Sequence, residues 1–233
     1  MPANCLLYYI TERSAFPGDE SSRRRRLMDK IGEAARAGVD YIQLREKDLS
    51  TRDLELLAKE AVSAIRRERL SNGNSQPATA LLINSRTDVA LAVQADGVHL
   101  RSDDVSPEDV RAAWTKCGAG TPFDKLRAGS ARQSSPPAPI VAVSCHSPAE
   151  VVEAAALGAT FTVFGPVFEK RDAQTVDLKL LREACLANIP VLALGGITLE
   201  NASSCLAAGA AGIAAIRLFQ DNDIASVVKQ LGG

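Results

Sequence analysis

Eight short apolar runs, each followed by a helical pattern, predict an α/β fold: a single (β/α)8 TIM barrel over residues 1–233. Three observations carry that expectation. The chain has 233 residues, 46% of them hydrophobic, enough for one barrel-sized core. The predicted strands are apolar on both faces, as parallel strands covered by helices must be. No GxGxxG follows the first strand, which counts against an open doubly wound sheet.

CLLYYIT (Cys5 to Thr11) reads as the first strand. Arg23 to Gly38 reads as a helix, with Leu27, Ile31 and Ala34 on one face and Gly38 as its stop. Tyr41 to Glu46 is the second strand. Ser50-Thr51-Arg52-Asp53 then starts a helix with an acidic first turn. ATALLIN ends the third strand near Asn84, before a short helix from Arg86 to Ala95. GVHL, Gly97 to Leu100, is the fourth strand, and Ser106-Pro107-Glu108 opens the next helix. Residues 115–138 break the alternation. They are rich in Gly, Ser, Pro and Ala and read as an inserted, flexible surface loop. The string TPFDKLRAG inside it resembles a translated genomic repeat found in unrelated bacterial proteins, which implies no part in the chemistry. The pattern resumes with IVAVSCH and a helix from Ser147 to Leu157, then FTVFGPVF and a helix from Asp177 to Ala187. PVLALGG with a helix from Leu199 to Ala208, and GIAAIRLF with Ile224 to Leu231, complete the eight pairs.

A formal net charge of -1 argues against a nucleic-acid or membrane-surface protein. The one basic run, Arg23 to Arg26, reads as a solvated helix face. The five cysteines are scattered and include no CxxC pair, so a zinc ribbon or a disulfide framework is not expected and a reducing cytoplasm fits best. MPANCLLYYI lacks the apolar segment of a signal peptide, and no run reaches the roughly 18 apolar residues of a membrane span. A homo-oligomer stays open.

A TIM barrel carries its active site at the C-terminal ends of its strands. Polar groups gather there: Gln43, Arg45 and Lys47 after strand two, Asn84 and Ser85 after strand three, and Asp103 and Asp104 after strand four. Ser144, Cys145 and His146 end strand five, Gly195-Gly196 ends strand seven, and Arg217 lies near the end of strand eight. Two cations and an amide in one concavity suit a phosphate or diphosphate. An Arg45–Glu46 ion pair at the mouth is the alternative. Asp104 is placed either to meet a magnesium ion or to cap its own loop. Gly195-Gly196 lets backbone N–H groups approach an anion, and Arg217 suits a place beside a phosphate. His146 is placed for proton transfer. His99 reads as a satisfied interior histidine, and a Cys145–His146 catalytic pair is disfavoured because strand neighbours face opposite ways.

YIQLREKD, LLIN, ADGVHL, FGPVF and ALGGIT occur in order. Together they resemble the thiamine phosphate synthase/TenI superfamily over nearly the whole chain outside the loop. The resemblance implies an enzyme that acts on small phosphorylated thiamine precursors. A synthase would join hydroxymethylpyrimidine diphosphate to thiazole phosphate with Mg2+. Arg45, Lys47 and Asn84 would then hold the diphosphate, Asp104 the metal, Gln43 and Ser144 the pyrimidine, and Gly196 the thiazole phosphate. Three departures stand out: Ser85 replaces the family's second aspartate, EKRDAQTV (Glu169 to Val176) replaces its PTxTK loop, and Arg217 replaces a serine. SCHSPAE resembles the TenI segment that carries a catalytic histidine, so a metal-independent thiazole tautomerase using His146 is the second reading. A non-catalytic phosphate-ligand-binding barrel is the third.

Overall fold

The computed structural model describes residues 5–71, 79–118, 137–168 and 178–232. Eight parallel strands close into a barrel in chain order. They are β1 (Leu6–Ile10), β2 (Tyr41–Leu44), β3 (Ala80–Asn84), β4 (Gly97–Leu100), β5 (Ile140–Cys145), β6 (Phe161–Phe164), β7 (Val191–Leu194) and β8 (Gly212–Ala215). β8 returns to β1 with Leu6 opposite Gly212 and Tyr9 opposite Ala215. The helices between them are α1 (Glu20–Ala37), α2 (Thr51–Ser71), α3 (Thr87–Val93), α4 (Pro107–Gly118), α5 (Pro148–Ala156), α6 (Leu178–Ala184) and α7 (Ala202–Ala207). α8 (Arg217–Gln220) and α9 (Ile224–Leu231) follow β8. Among the described residues, no helix is long and apolar enough to cross a membrane.

Strand alternation divides the apolar residues into two cores. Tyr8, Ile10, Leu82, Ala142, Phe161, Val163, Leu192 and Ala214 fill the lumen. Leu7, Tyr9, Ile42, Leu44, Ile83, Val98, Val141 and their neighbours face the helices. α1 shows how the sequence specifies an element. The Asp19 side chain accepts from the Ser22 N–H, Leu27, Ile31 and Ala34 are buried, and Gly38 stops the helix at φ 86. The basic run is a helix face, as expected: Arg24 pairs with Glu60, and Arg25 and Arg26 are exposed.

Several boundaries differ from expectation. β2 stops at Leu44, so Arg45, Glu46 and Lys47 lie in the following loop and neither cation is on the strand with Gln43. β6 ends at Phe164, where Gly165-Pro166 follows; proline has no N–H to continue the ladder. GIAAIRLF is a strand only as far as Ala215; Arg217, two residues past the strand end, opens α8. A short apolar run does not distinguish buried strand from buried helix. Finally, α4 continues to Gly118, so the break in pattern begins after 118, not at 115. Residues 119–136 of the expected loop, and Glu169 to Val176, lie outside the described residues.

Candidate active site

A chain of polar side chains crosses the mouth of the barrel from β2 to the loop after β4. Gln43, 1% exposed, donates from Nε2 to Asn84 Oδ1 at 3.1 Å. Asn84 Nδ2 donates to Ser85 Oγ at 3.2 Å, and the Ser85 hydroxyl reaches Asp104. Ser85 sits at φ 57, left-handed backbone that Asn and Asp adopt most readily after glycine, and its N–H is fixed by the His99 carbonyl at 2.8 Å. Asp104 closes its own loop. Its Oδ2 accepts the Arg101 N–H at 2.8 Å, and its Oδ1 pairs with the Arg101 guanidinium at 3.1 Å. Burial alone would raise this carboxyl, but hydrogen bonds from Ser85 and Arg101 hold it below the ordinary aspartate value. Ser106, not Asp104, caps α4: its Oγ accepts the Asp109 N–H at 3.1 Å.

His99 is the satisfied interior histidine the sequence suggested. Its Nδ1 lies 2.9 Å from the Tyr8 hydroxyl and its Nε2 lies 2.7 Å from Ser144 Oγ. Burial, reinforced by the nearby Arg45 cation, depresses its pKa to about 3, so the ring is neutral at physiological pH. Ser144 is thereby held by His99, whose strand β4 lies between β5 and the β3 strand of Asn84.

Arg45 is half-buried at the rim and Lys47 is exposed; among the described residues neither pairs with a carboxylate. The alternative Arg45–Glu46 ion pair does not form, because Glu46 turns inward to Arg13 at 3.1 Å. Across the mouth, Gly195 and Gly196 have φ 103 and 62. A Cβ at Gly196 would lie 2.8 Å from Phe168 Cβ, so only glycine fits this turn. The Gly196 and Ile197 N–H groups have no hydrogen-bond acceptor among the described residues, while Thr198 N–H is taken by Asn201 Oδ1 at 2.8 Å. Arg217 is exposed at the start of α8, a short extra helix in the position where barrels of this type often bind phosphate.

His146 stands apart from the polar chain. It is exposed, with Nδ1 2.6 Å from the Gly165 carbonyl, so Nδ1 carries the proton in the neutral ring and Nε2 is left as the acceptor. Cys145 is buried, and burial pushes its thiol up to about 12, which removes it as a nucleophile.

Two hydrogen-bonded chains thus line the mouth, Gln43–Asn84–Ser85–Asp104 and Tyr8–His99–Ser144, with Arg45 and Lys47 at one edge and Gly196 and Arg217 at the other. Sequence reasoning missed Arg101 and Arg13. Arg101 left a local signal, its i,i+3 spacing to Asp104. Arg13 left none, since its partners Glu46 and Asp48 lie 33 and 35 residues away.

Comparison with known proteins identifies the family. The family model described as thiamine monophosphate synthase matches residues 7–121 and 117–219. The two matches meet where the sequence predicts the inserted loop. Thiamine-phosphate synthase of Clostridium novyi (strain NT) is 33% identical over 228 residues, covering 96% of this chain and 94% of that protein. The enzyme of the same name from Methanoculleus marisnigri is 33% identical over 231 residues, covering 97% and 92%. The structure of thiamine phosphate pyrophosphorylase from Pyrococcus furiosus superposes with a TM-score of 0.70 at 28% identity, covering 97% of this chain and 93% of that one. This chain belongs to the thiamine monophosphate synthase family and, with it, to the transferases of thiamine biosynthesis.

Proposed function

We propose that the barrel mouth condenses hydroxymethylpyrimidine diphosphate with thiazole phosphate, releasing pyrophosphate and thiamine phosphate. One observation carries this reading: a single mouth presents two separate anion-seeking edges. Arg45 and Lys47, free of carboxylates among the described residues, form one. The Gly196 and Ile197 N–H groups and Arg217 form the other. Two substrates with a phosphate each need two such edges, whereas a tautomerase acting on one phosphorylated thiazole needs one. The names of the relatives do not favour the tautomerase or the non-catalytic barrel.

In this reading the pyrimidine lies on Gln43 and Ser144, with Asn84 beside its diphosphate. The C–O bond to the diphosphate breaks first and the leaving group takes the electron pair; the thiazole nitrogen then forms the new C–N bond. The chain's contribution is electrostatic. Arg45 and Lys47 neutralise the departing pyrophosphate, and neutral His99 holds Ser144 without repelling a pyrimidine cation. The largely apolar lumen below limits access of water to that cation.

Family resemblance implies magnesium. Among the described residues no three His, Cys, Asp or Glu side chains converge to hold a metal. Asp104 and the Ser85 hydroxyl are oxygen donors of the kind magnesium takes, but Arg101 competes for the carboxylate. The donor set therefore suits an ion that arrives on the diphosphate, not a resident one. When bound it would supply charge neutralisation at the leaving group.

The test is a coupling assay of the purified protein with both substrates, with and without Mg2+, following thiamine phosphate. Product is expected, and Asp104→Asn should raise the Mg2+ concentration needed for half-maximal rate. No product, together with proton exchange on the thiazole carboxylate that is lost in His146→Ala, would overturn the synthase in favour of the tautomerase.

A further inference from the structure

The segment Arg45-Glu46-Lys47-Asp48 alternates cation and carboxylate, and adjacent opposite charges attract each other. Left alone, such a loop would neutralise itself and present little to an anion. In the folded protein both carboxylates are taken from behind. Glu46, 6% exposed, accepts the Thr11 hydroxyl at 2.6 Å, the Arg13 N–H at 3.1 Å and Arg13 Nη1 at 3.1 Å. Asp48 receives both guanidinium arms of Arg13, at 2.6 and 2.8 Å. Glu20 takes the remaining Nε–H at 2.7 Å. Arg13 is itself 4% exposed. Thr11 Oγ1 also accepts the Arg45 N–H at 3.0 Å, so the same network pins the backbone of the cation it serves.

We infer that Arg13 is a positioning residue: by sequestering Glu46 and Asp48 it leaves Arg45 and Lys47 free to hold the diphosphate. The inference rests on the diphosphate reading above. It differs from a plain structural ion pair in a way that can be measured. Arg13 matters to the anion because of what Asp48 does when released, not only because the loop needs an anchor. Freed Asp48 would sit beside Lys47 and compete with the ligand for it.

The decisive comparison uses variants that leave no unpaired carboxylate in the barrel wall. Inorganic pyrophosphate is titrated calorimetrically, with Mg2+ present, into wild-type protein, Arg13→Met/Glu46→Gln and Arg13→Met/Glu46→Gln/Asp48→Asn. Thermal melts are run on each. The double variant should bind about tenfold more weakly, and the triple should recover to within about threefold of wild type, although both have lost the anchor equally. Arg13→Lys, which keeps a cation without the three-way fork, should fall between wild type and the double variant. A double variant that binds like wild type, or a triple variant as weak as the double, overturns the sequestration while leaving the diphosphate reading intact. Wild-type protein that binds no pyrophosphate overturns the diphosphate reading and takes the inference with it.

Discussion

The two halves of the barrel mouth are built from different chemistry on the same scaffold. From β2 to β5 the residues facing inward near the top are Gln43, Asn84, His99 and Ser144, hydrogen-bonded in two pairs, Gln43–Asn84 at 3.1 Å and His99–Ser144 at 2.7 Å. From β6 round to β1 they are Val163, Leu194, Ile216 and Ile10, with Leu192 and Ala214 among those filling the lumen. Polar groups packed this deeply are stable only when each finds a partner, and the first half meets that condition by pairing across strands. The second half is apolar near its top; lower down, the Tyr8 hydroxyl of β1 bonds back to His99, and the rim offers backbone N–H groups at Gly196 and Ile197. Under the proposed reaction the difference divides the tasks: one half would orient and neutralise the charged, reacting substrate, while the other would seal the lumen and present a rim site for the second phosphate.

The sharpest way to break this division is to cut one residue from each half. Arg45→Ala should lower kcat/KM for thiamine phosphate formation by about 100- to 1000-fold, the usual cost of removing a donor aimed at developing charge. Its melting temperature should barely move, because the side chain is only half-buried and unpaired among the described residues. Leu192→Ala, at a fully buried lumen position, should destabilise the fold by about 2–5 kcal/mol through the cavity it leaves. The protein that remains folded should keep its kcat/KM. Steady-state kinetics beside urea unfolding would separate the two effects. If Leu192→Ala abolished turnover without loss of stability, the division of labour would be wrong.

Much of this was legible in the chain. Eight strands and their order follow from apolar runs and stop signals, because a parallel strand covered on both faces has few residues it can use. Gln43, Asn84, Asp104 and Ser144 were legible as strand-end polar residues, since a barrel sends its strand ends to one rim. Boundaries were not. Ala215 ends β8 although apolar Ile216 follows, and Leu44 ends β2 with no Gly or Pro after it to mark the stop. Long-range partners were hidden too. Nothing near Arg13 announces Glu46 or Asp48, and nothing near His99 announces Tyr8 or Ser144, which lie 91 and 45 residues away. Pairings of that kind are properties of the closed barrel, not of any local window.

His99 sharpens the comparison with a pH dependence. Its folded pKa is depressed from 6.5 to about 3 by burial and the Arg45 charge. The unfolded chain therefore binds the proton that the folded one refuses. Stability is complete above the unfolded pKa and falls as pH drops from 6.5 towards 3, with a slope approaching about 1.4 kcal/mol per pH unit. In His99→Gln this contribution should vanish. Urea unfolding at pH 7.5, 6 and 5 should show wild-type stability declining more steeply than that of the variant. Equal slopes would mean that His99 is protonated in the folded barrel, and the polar half would then carry a buried cation instead of a neutral relay.

The smallest expected effect lies at an exception within the apolar half. Thr162, on β6 next to lumen-facing Val163, is fully buried, and its hydroxyl has no hydrogen-bond partner among the described residues. Strand alternation turns it outward, away from the lumen and any substrate. A hydroxyl in that position forfeits its hydration without compensation, and valine has nearly the same shape. Thr162→Val should therefore stabilise the protein by about 1 kcal/mol in urea unfolding, with kcat/KM unchanged. The sign matters more than the size. A gain would show that this side of the barrel tolerates polar groups only as a cost, whereas removing a hydroxyl from Ser144 on the other side should lower activity. A loss of stability in Thr162→Val would mean that both halves depend on hydrogen-bonded polar groups, and the contrast between them would reduce to which groups face the lumen.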